Sequence, residues 1–254
     1  MSTPCEVLSF PEQKQCSANL IARLANTSEE IRKCQRLRYD IFANEMGANI
    51  KSKVPGLDVD QFDSLGMHLM VIDNRTNDVV GTTRLIMDSD SKHSVHFYSE
   101  TEFDLRNILQ MPGRFMEVGR TCIHPDYRNG STIAVLWQGL ARIMVMSGID
   151  YLIGCASIPM DDGGANAKAI MDRLRDRFPM AEQRVYPYKS LPQPSATHFG
   201  APTMPSLLKA YLRIGATICG EAYWDVDFNV ADVFVFVSRN KIDKRYSRHF
   251  VQNK

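Results

Sequence analysis

The feature that most constrains the fold is a strand, a turn and a long helix that follow one another between residues 115 and 148. Phe115–Ile123 is rich in apolar residues and predicts a strand, and the His-Pro-Asp sequence after it ends that strand because proline cannot continue a central ladder. Ser131–Ser147 predicts a helix with Gly148 as its C-cap. A buried strand that leads directly into a helix is typical of α/β folds.

Other predicted elements alternate along the chain without a clear break or an internal repeat. Strands are predicted at Met67–Asp73, Val79–Met87, Tyr151–Ala156 and Ala231–Ser238. Helices are predicted from a capping box at Thr27 onward, near Asn166–Phe178, and at Met204–Ile214. We interpret residues 1–26 as an N-terminal arm and residues 27–254 as one α/β domain, with an irregular insertion at roughly 161–205.

Charge and cysteine usage limit what the chain binds and where it works. With 30 Lys and Arg against 29 Asp and Glu, the formal net charge is +1, which argues against general affinity for nucleic acid. The six cysteines include no pair at C-x-x-C spacing, so neither a zinc site nor a redox motif is predicted. No signal peptide and no membrane-spanning apolar run is recognised. We therefore expect a cytoplasmic protein with no metal.

An aspartate triplet, formed by Asp58, Asp60 and Asp63, places three carboxylates within six residues. Such carboxylates repel one another unless a cation or several donors lie among them. The triplet is either a solvated acidic loop or a recognition site for a cationic substrate, and it lacks the glycine and glutamate of a calcium loop. Arg38 lies on the apolar stripe of the first predicted helix, where a guanidinium needs carboxylate partners.

Glu117 and Arg120 are candidates for a reactive site on the strand at residues 115–123. Residues three apart in a regular strand face opposite sides, which would make them an unrelated surface pair. Gly119 between them permits a β-bulge, which would turn both side chains toward one cleft. His68 stands five residues before an aspartate, the spacing of an acyltransferase dyad, but such residues of a strand project to opposite faces. His68 alone is therefore kept as a candidate for lining the cleft.

The turn from this strand into the long helix has the sequence RNGST, from Arg128 to Thr132. Backbone amides at a helix N-terminus form an anion site that suits a phosphate. The alternative is simple capping of the helix by the side chain of Asn129 or Ser131.

In combination, these segments resemble the GNAT superfamily of acyltransferases, whose acyl-donor core is similar to EVGRTCIHPDYRNG. More closely, the chain resembles bacterial ornithine lipid synthases, N-acyltransferases that form lyso-ornithine lipid. The segments that carry this likeness span most of residues 29–250: RLRYDIFANEMGA, LDVDQFD, HLMVID, VVGTTRL, FYSETEFDL, AVLWQGL, YLIGCASI, SLLKAYLRIGA and RYSRHF. The implied fold is a GNAT-like twisted mixed sheet flanked by helices.

Acyl-homoserine-lactone synthases share a sparser set of these positions, which in that family form one charged network beside the acceptor site. The resemblance implies the following site residues. Catalytic candidates are Glu117, Arg120 and His68, with Glu117 as general base. Acceptor-binding candidates are Arg38, Phe42, Asp58, Asp60, Asp63 and Arg84. Donor-binding candidates are Gly119, Thr121, Cys122, Ile123, Arg128, Gly130, Ser131 and Thr132. The amides near Gly119 to Thr121 would hold the developing oxyanion, and Asp60 and Asp63 would hold an ammonium group of the acceptor.

One departure concerns the donor, because Ser131 and Ile133 stand where acetyl-CoA-using members carry glycines. Side chains there obstruct the approach of a pyrophosphate, so we expect an acyl thioester of acyl carrier protein, bound through phosphopantetheine, and no other cofactor. The expected acceptor is ornithine, with glycine, glutamine, lysine or an aromatic amino acid as alternatives. A non-catalytic module that binds acyl chains or carrier protein is a further alternative.

The acyl chain needs an apolar channel. Five apolar residues could line it, although they fit an ordinary core better: Phe97, Phe103, Trp137, Met144 and Met146. The amphiphilic product is compatible with peripheral contact with the inner membrane.

Overall fold

The computed structural model describes residues 19–88, 96–176, 183–194 and 200–241. The strands of these residues are β1 (Leu20–Leu24), β2 (Met67–Asp73), β3 (Asp78–Met87), β4 (Phe103–Asp104), β5 (Phe115–Ile123), β6 (Tyr151–Pro159), β7 (Tyr186–Pro187), β8 (Thr217–Ile218), β9 (Tyr223–Asp225) and β10 (Val230–Ser238). The α-helices are α1 (Ser28–Tyr39), α2 (Arg106–Leu109), α3 (Ser131–Met146), α4 (Ala165–Arg175) and α5 (Ser206–Arg213). The predicted RYSRHF segment, the helix end at Phe178 and residues 1–18 of the arm lie outside the described residues.

The main sheet has the order β1-β2-β3-β5-β6-β10-β8, with β9 paired to the start of β10. All neighbours are antiparallel except β5 and β6, which are parallel, so the predicted mixed sheet is confirmed. Two boundaries differ from the prediction. Leu20–Leu24, assigned to the arm, is the edge strand paired with β2. The insertion is partly regular, since it contains α4 and a strand, β7, that pairs with β4.

The two parallel strands separate partway along their length. The β5–β6 ladder runs from the Phe115–Tyr151 pair to the Val118–Gly154 pair and ends there. At this last pair the backbones are close, because a Cβ on Gly154 would lie 2.3 Å from the Val118 carbonyl oxygen. Beyond it, the later residues of β5 have no ladder partner on β6, which opens a cleft between the strands.

A β-bulge lies on β5 at the mouth of this cleft. The pairing register shifts between Thr82 and Arg84 of β3, so two residues of β5, Arg120 and Thr121, face one residue of β3. Arg120 has φ 52, a left-handed conformation that is uncommon for a residue with a side chain. The predicted bulge is confirmed, although the left-handed residue is Arg120 rather than Gly119.

Helix α3 packs its apolar stripe on β1 and β2 and forms much of the core. The predicted channel residues belong mainly to the core: Trp137 and Met144 pack as part of α3, and Phe97 and Phe103 are buried in a second apolar cluster. Trp137 packs edge-on against Tyr211 at 5.0 Å, Phe103 against Phe234 at 5.7 Å, and Met144 is buried. Each fully buried side chain of this size contributes about 1.5–3 kcal/mol. Met146 is exposed instead. Among the described helices, none is long and apolar enough to cross a bilayer.

Candidate functional site

Arg38 is fully buried and has the carboxylate partners that its position on an apolar helix face required. Its Nε donates to Asp58 Oδ2 at 2.8 Å, and its two terminal nitrogens donate to Asp63 at 2.6 and 3.2 Å. Burial raises the pKa of Asp63, but the hydrogen bonds and charge of Arg38 outweigh it, and the pKa lies below its usual value. The pair is therefore held in its charged form.

Two further arginines complete a paired network, by which we mean Arg38, Arg84 and Arg120 with the aspartate triplet. Arg84 donates to Asp60 Oδ1 at 2.6 Å. Arg120 donates to Asp60 Oδ2 at 3.2 Å, and its Nε lies 3.3 Å from Asp58 Oδ2. Three positive charges thus balance three negative ones.

The aspartates of the triplet are paired within the protein, and their contact with the acceptor stays a prediction. Asp60 and Asp63 were expected to hold an ammonium group of the acceptor, but both are engaged by arginines of the chain itself. Their spacing has a local cause, since Asp60 caps the short 3₁₀ helix at Gln61–Ser64. The Asp60 side chain accepts from Phe62 N at 2.8 Å, and Asp60 N donates to Asp63 Oδ2 at 2.9 Å. The triplet positions arginines.

Glu117 is buried beneath the short 3₁₀ helix at Tyr98–Thr101. Its Oε1 accepts from the backbone N and the Oγ of Ser99, and its Oε2 accepts from Tyr98 N at 2.6 Å. Burial raises the pKa of Glu117 above its usual value, while these donors act in the opposite direction. Neither Tyr98 nor Ser99 was singled out from the sequence.

The bulge brings Glu117 and Arg120 to one cavity of about 80 Å³ at the β5–β6 cleft, as predicted. Phe42, Arg84, Gly119 and Thr121 of the predicted set also line it. The Arg120 guanidinium lies between two aromatic rings, 4.8 Å from the centre of Tyr98 and 4.9 Å from that of Phe228. The paired network and these rings hold Arg120 in place at the cavity wall.

His68 lies beside the paired network, and its catalytic role stays a prediction. It is buried, its Nε2 lies 3.5 Å from Asp63 Oδ1, and it does not line the cavity that contains Glu117. Burial, together with the charge of Arg38, lowers the pKa of His68 to about 4, so the ring is neutral at pH 7. Asp73, the other member of the spacing motif, instead pairs with Arg75 and accepts from Tyr127.

The predicted phosphate turn is engaged by side chains of the chain itself. Gly130 caps helix α3 with φ 90, and the amide of Ser131 donates to the side chain of Asn129 at 3.1 Å. Arg128 donates to both carboxylate oxygens of Glu45, at 2.5 and 2.7 Å. One amide of the turn is thus capped by Asn129, and the phosphate-binding role of the turn stays a prediction.

The remaining donor candidates are structural in this arrangement. Thr132 is buried and donates to the Tyr127 carbonyl at 2.9 Å. The carbonyl of Ile123 accepts from Arg128 Nε at 3.0 Å. Cys122 is buried in an apolar cluster, and burial raises the pKa of its thiol well above the usual value. A thiol in this environment is a poor nucleophile.

A second acidic cluster was missed in the sequence. Glu102, Asp225 and Asp232, the carboxyl trio, each place one carboxyl oxygen within 4.8 Å of the other two. Burial raises the pKa of Glu102 well above its usual value and that of Asp232 to about 7, and neighbouring carboxylates add to both shifts. One signal was available, because Asp232 interrupts the apolar strand ADVFVFVS.

Comparison with known proteins extends this picture. The Acetyltransferase (GNAT) domain family matches residues 37–138. The chain is 33% identical over 250 residues to the L-ornithine N(alpha)-acyltransferase of Rhizobium meliloti (strain 1021), covering 92% of this chain and 84% of that protein. The structure of FeeM, an N-acyl amino acid synthase from uncultured soil microbes, aligns with a TM-score of 0.53 at 11% identity, over 86% of this chain and 90% of that one. The acyl-homoserine-lactone synthase LasI aligns with a TM-score of 0.51 at 12% identity, over 86% and 89%. These two likenesses concern the fold.

Proposed function

This chain belongs to the L-ornithine N(alpha)-acyltransferase family, and from that premise we propose that it transfers a long-chain 3-hydroxyacyl group from acyl carrier protein to the α-amine of ornithine. The observation that carries the proposal is the β5–β6 cleft, where Glu117 and Arg120 meet in one cavity. The product is a lyso-ornithine lipid.

The donor thioester is placed along β5 beyond the point where its ladder to β6 ends. Backbone groups of a strand edge without a ladder partner can bind an extended ligand. The bulge from Gly119 to Thr121 is where amides would meet the thioester oxygen, and donors aimed at the developing oxyanion stabilise the transition state. These residues all line the cavity.

Glu117 is the proposed general base for the attacking amine. A carboxylate offers about four lone-pair sites, and Glu117 accepts three hydrogen bonds, so its Oε2 keeps one site for a proton or a bridging water. Its raised pKa makes it a stronger base than an exposed glutamate. The three donors fix its direction, which is what a positioned base requires.

The reaction proceeds by direct transfer. The free α-amine nitrogen forms a bond to the thioester carbon and gives one proton to Glu117. The C–S bond then breaks, and Glu117 returns that proton to the leaving thiolate. An acyl-enzyme needs a nucleophile with a neighbouring base. Burial raises the thiol pKa of Cys122, and also that of Cys155 at the cavity, so neither cysteine suits that role.

The choice of carrier protein over coenzyme A rests on the turn before α3. The Ser131 amide is occupied by Asn129, and Ser131 and Ile133 add side chains where a pyrophosphate would approach. A single phosphate needs less room. The Arg128–Glu45 pair is exposed and therefore weak, so Arg128 can turn to that phosphate when the donor binds.

Peripheral contact with a membrane is part of the proposal, because the product is an amphiphile. Met46 is 41% exposed and also lines the cavity, which gives the cleft an apolar rim. Co-flotation with vesicles that contain anionic lipid tests this contact. Protein that stays in the bottom fraction at low and high salt would contradict it.

The first test incubates the protein with 3-hydroxyhexadecanoyl carrier protein and a pool of amino acids, with products identified by mass spectrometry. N-acyl-ornithine is expected. Another acyl amino acid would move the specificity to that acceptor. Activity with the coenzyme A thioester alone would overturn the donor assignment.

The role of Glu117 is tested with Glu117→Gln, which we expect to lower kcat by about 10²–10⁴-fold at pH 7. Raising the pH deprotonates the α-amine without help, so the variant should recover part of this loss at pH 9 if Glu117 is the base. A deficit that is constant with pH would assign it a positioning role. Glu221→Gln, at an exposed carboxylate paired with Arg175, is the matched control and should leave the rate unchanged.

A further inference from the structure

The carboxyl trio comes from three separate parts of the chain. Asp225 ends β9 and Asp232 lies in β10, two register positions apart on paired antiparallel strands, so their side chains share a face. Glu102 directly precedes β4. Their oxygens, all within 4.8 Å of one another, surround one point.

No cation of the described residues neutralises the trio. None of its carboxylates forms an ion pair with an arginine or lysine there, in contrast to the aspartate triplet. The charge of Arg120 lowers the pKa of Asp232, but its guanidinium is shared between Asp58 and Asp60. Three carboxylates this close need protons or a cation between them.

A second observation indicates that a donor is missing at this place. Glu102 is 2% exposed, and its Oε1 is buried without any hydrogen-bond partner. The carboxyl group accepts a weak bond from Cys155 Sγ at its Oε2, at 3.3 Å, and also interacts with the Tyr98 hydroxyl, but neither contact satisfies Oε1. A buried acceptor left without a donor costs about 1–3 kcal/mol, so such atoms often mark a ligand position.

The trio is next to the reactive cavity. Asp225 and Asp232 line the same cavity as Glu117. A short polar chain joins the two sites: Ser99 Oγ bonds Glu117 and lies 3.4 Å from Cys155 Sγ, which donates to Glu102. One small molecule can therefore contact both places.

We propose that the carboxyl trio binds the side-chain ammonium group of a diamino acid acceptor while its α-amine faces Glu117. This rests on the proposed function and adds the site of acceptor selection. A primary ammonium carries three N–H donors and one positive charge, and because the three oxygens lie within 4.8 Å of one another, one nitrogen can lie at hydrogen-bond distance, about 2.8 Å, from each of them. Asp232, whose Oδ1 accepts from Ser157 Oγ at 2.6 Å, is held in position for this contact.

The test compares ornithine with norvaline, which has the same carbon chain and no side-chain amine. The wild-type protein should prefer ornithine by about 100-fold or more in kcat/KM, as expected for a charged group bound by desolvated carboxylates. Asp225→Asn, Asp232→Asn and Glu102→Gln should each reduce this preference by about 10- to 100-fold. Glu221→Gln should retain it, since that carboxylate is exposed and paired with Arg175.

Two results would overturn the inference. An equal loss on both acceptors would show that the trio only supports the fold. Loss of wild-type activity on chelation, restored by Mg²⁺ or Ca²⁺ and not in the trio variants, would show that it binds a metal ion. If any variant fails to fold, as judged by circular dichroism, the other two decide.

Failure of the proposed function would give a different result from failure of this inference. In that case wild-type protein would form no N-acyl product with either acceptor. Calorimetric titration with ornithine and norvaline then tests the trio by itself. Binding of ornithine that is lost in Asp232→Asn supports the site, and equal affinity for the two amino acids contradicts it.

Discussion

The two acidic clusters of this protein each contain three carboxylates, but arginines in the described part of the chain neutralise only one of the clusters. The aspartate triplet lies within six residues of chain and is matched by three arginines. The carboxyl trio is drawn from positions 102, 225 and 232 and is matched by no cation of the described residues. Both border the space around Tyr98 and Arg120, since one cavity is lined by Asp58, Asp60 and Asp225 together.

The difference separates structural charge from charge available to a ligand. A buried carboxylate with an arginine partner is already satisfied, so its favourable contacts are used within the fold. A buried carboxylate without one has a raised pKa and is stabilised by whatever cation arrives. The pKa of Asp63 is lowered and that of Asp232 is raised, in agreement with this distinction.

The largest expected effect comes from breaking the paired network at Arg38. Arg38→Met leaves Asp58 and Asp63 buried without their main partner, and this should lower the free energy of unfolding by about 3–5 kcal/mol. Urea denaturation measures it. Arg36→Met, at an exposed arginine of the same helix, is the control and should change stability by less than about 0.5 kcal/mol. Similar free energies of unfolding for the two variants would show that the paired network does not stabilise the fold.

The carboxyl trio should make the stability of the fold decrease as the pH rises. Asp232 has a pKa of about 7 in the folded protein against an ordinary value of 3.8, so the folded state holds the proton more tightly. Its contribution to stability is present at low pH and is lost as the pH rises from about 4 to about 7. Asp232→Asn removes this dependence and should be more stable than the wild type at pH 8, by up to about 4 kcal/mol.

Thermal unfolding between pH 4 and 8 measures the difference between the two proteins. It should grow across that interval and level off above pH 7. A difference that does not change with pH would mean that Asp232 is not the titrating group. Asp63→Asn should show no such trend between pH 4 and 8, because the pKa of Asp63 is lowered from 3.8 and the stability it contributes is lost only as the pH falls below about 4.

The preference for ornithine should depend on the protonation state of Asp232. Asp232 accepts a hydrogen bond from Ser157. The titratable and charged groups that face it are Glu102, Asp225, Arg120, Tyr98, Cys155 and Tyr223. Because the trio must lose protons to bind an ammonium group, the KM for ornithine should fall by about tenfold between pH 6 and pH 8. The KM for norvaline serves as the internal control, since deprotonation of the α-amine affects both acceptors. Parallel pH profiles would contradict the assignment.

Much of the fold could be predicted because its signals are local. The strand at Phe115–Ile123, the helix after it and the bulge at the glycine within the strand each depend on neighbouring residues. The need of Arg38 for carboxylates followed from its position on an apolar helix face, which is also a local pattern. Local patterns survive folding when the tertiary structure agrees with them.

The division of charges could not be predicted, because it depends on which strands approach one another. The resemblance implied that Asp60 and Asp63 belong to one charged network, but their individual partners become visible only where Arg84 approaches from β3 and Arg120 from β5. Asp232 carried a signal, a carboxylate in an apolar strand, but its partners are seven and 130 residues away in the chain. Long-range neighbours of this kind are invisible to periodicity.

The smallest effect concerns a pair of charges on the surface. Arg128 and Glu45 form a two-pronged ion pair much like those of Arg38, but their side chains are 43% and 39% exposed. Solvent screens such pairs, so Glu45→Gln should change the free energy of unfolding by less than about 1 kcal/mol. It should also free Arg128 for the donor phosphate and lower the KM for acyl carrier protein by about twofold, whereas Arg128→Gln should raise it. If Glu45→Gln lowers the free energy of unfolding as much as Arg38→Met does, burial does not explain the difference between the two ion pairs.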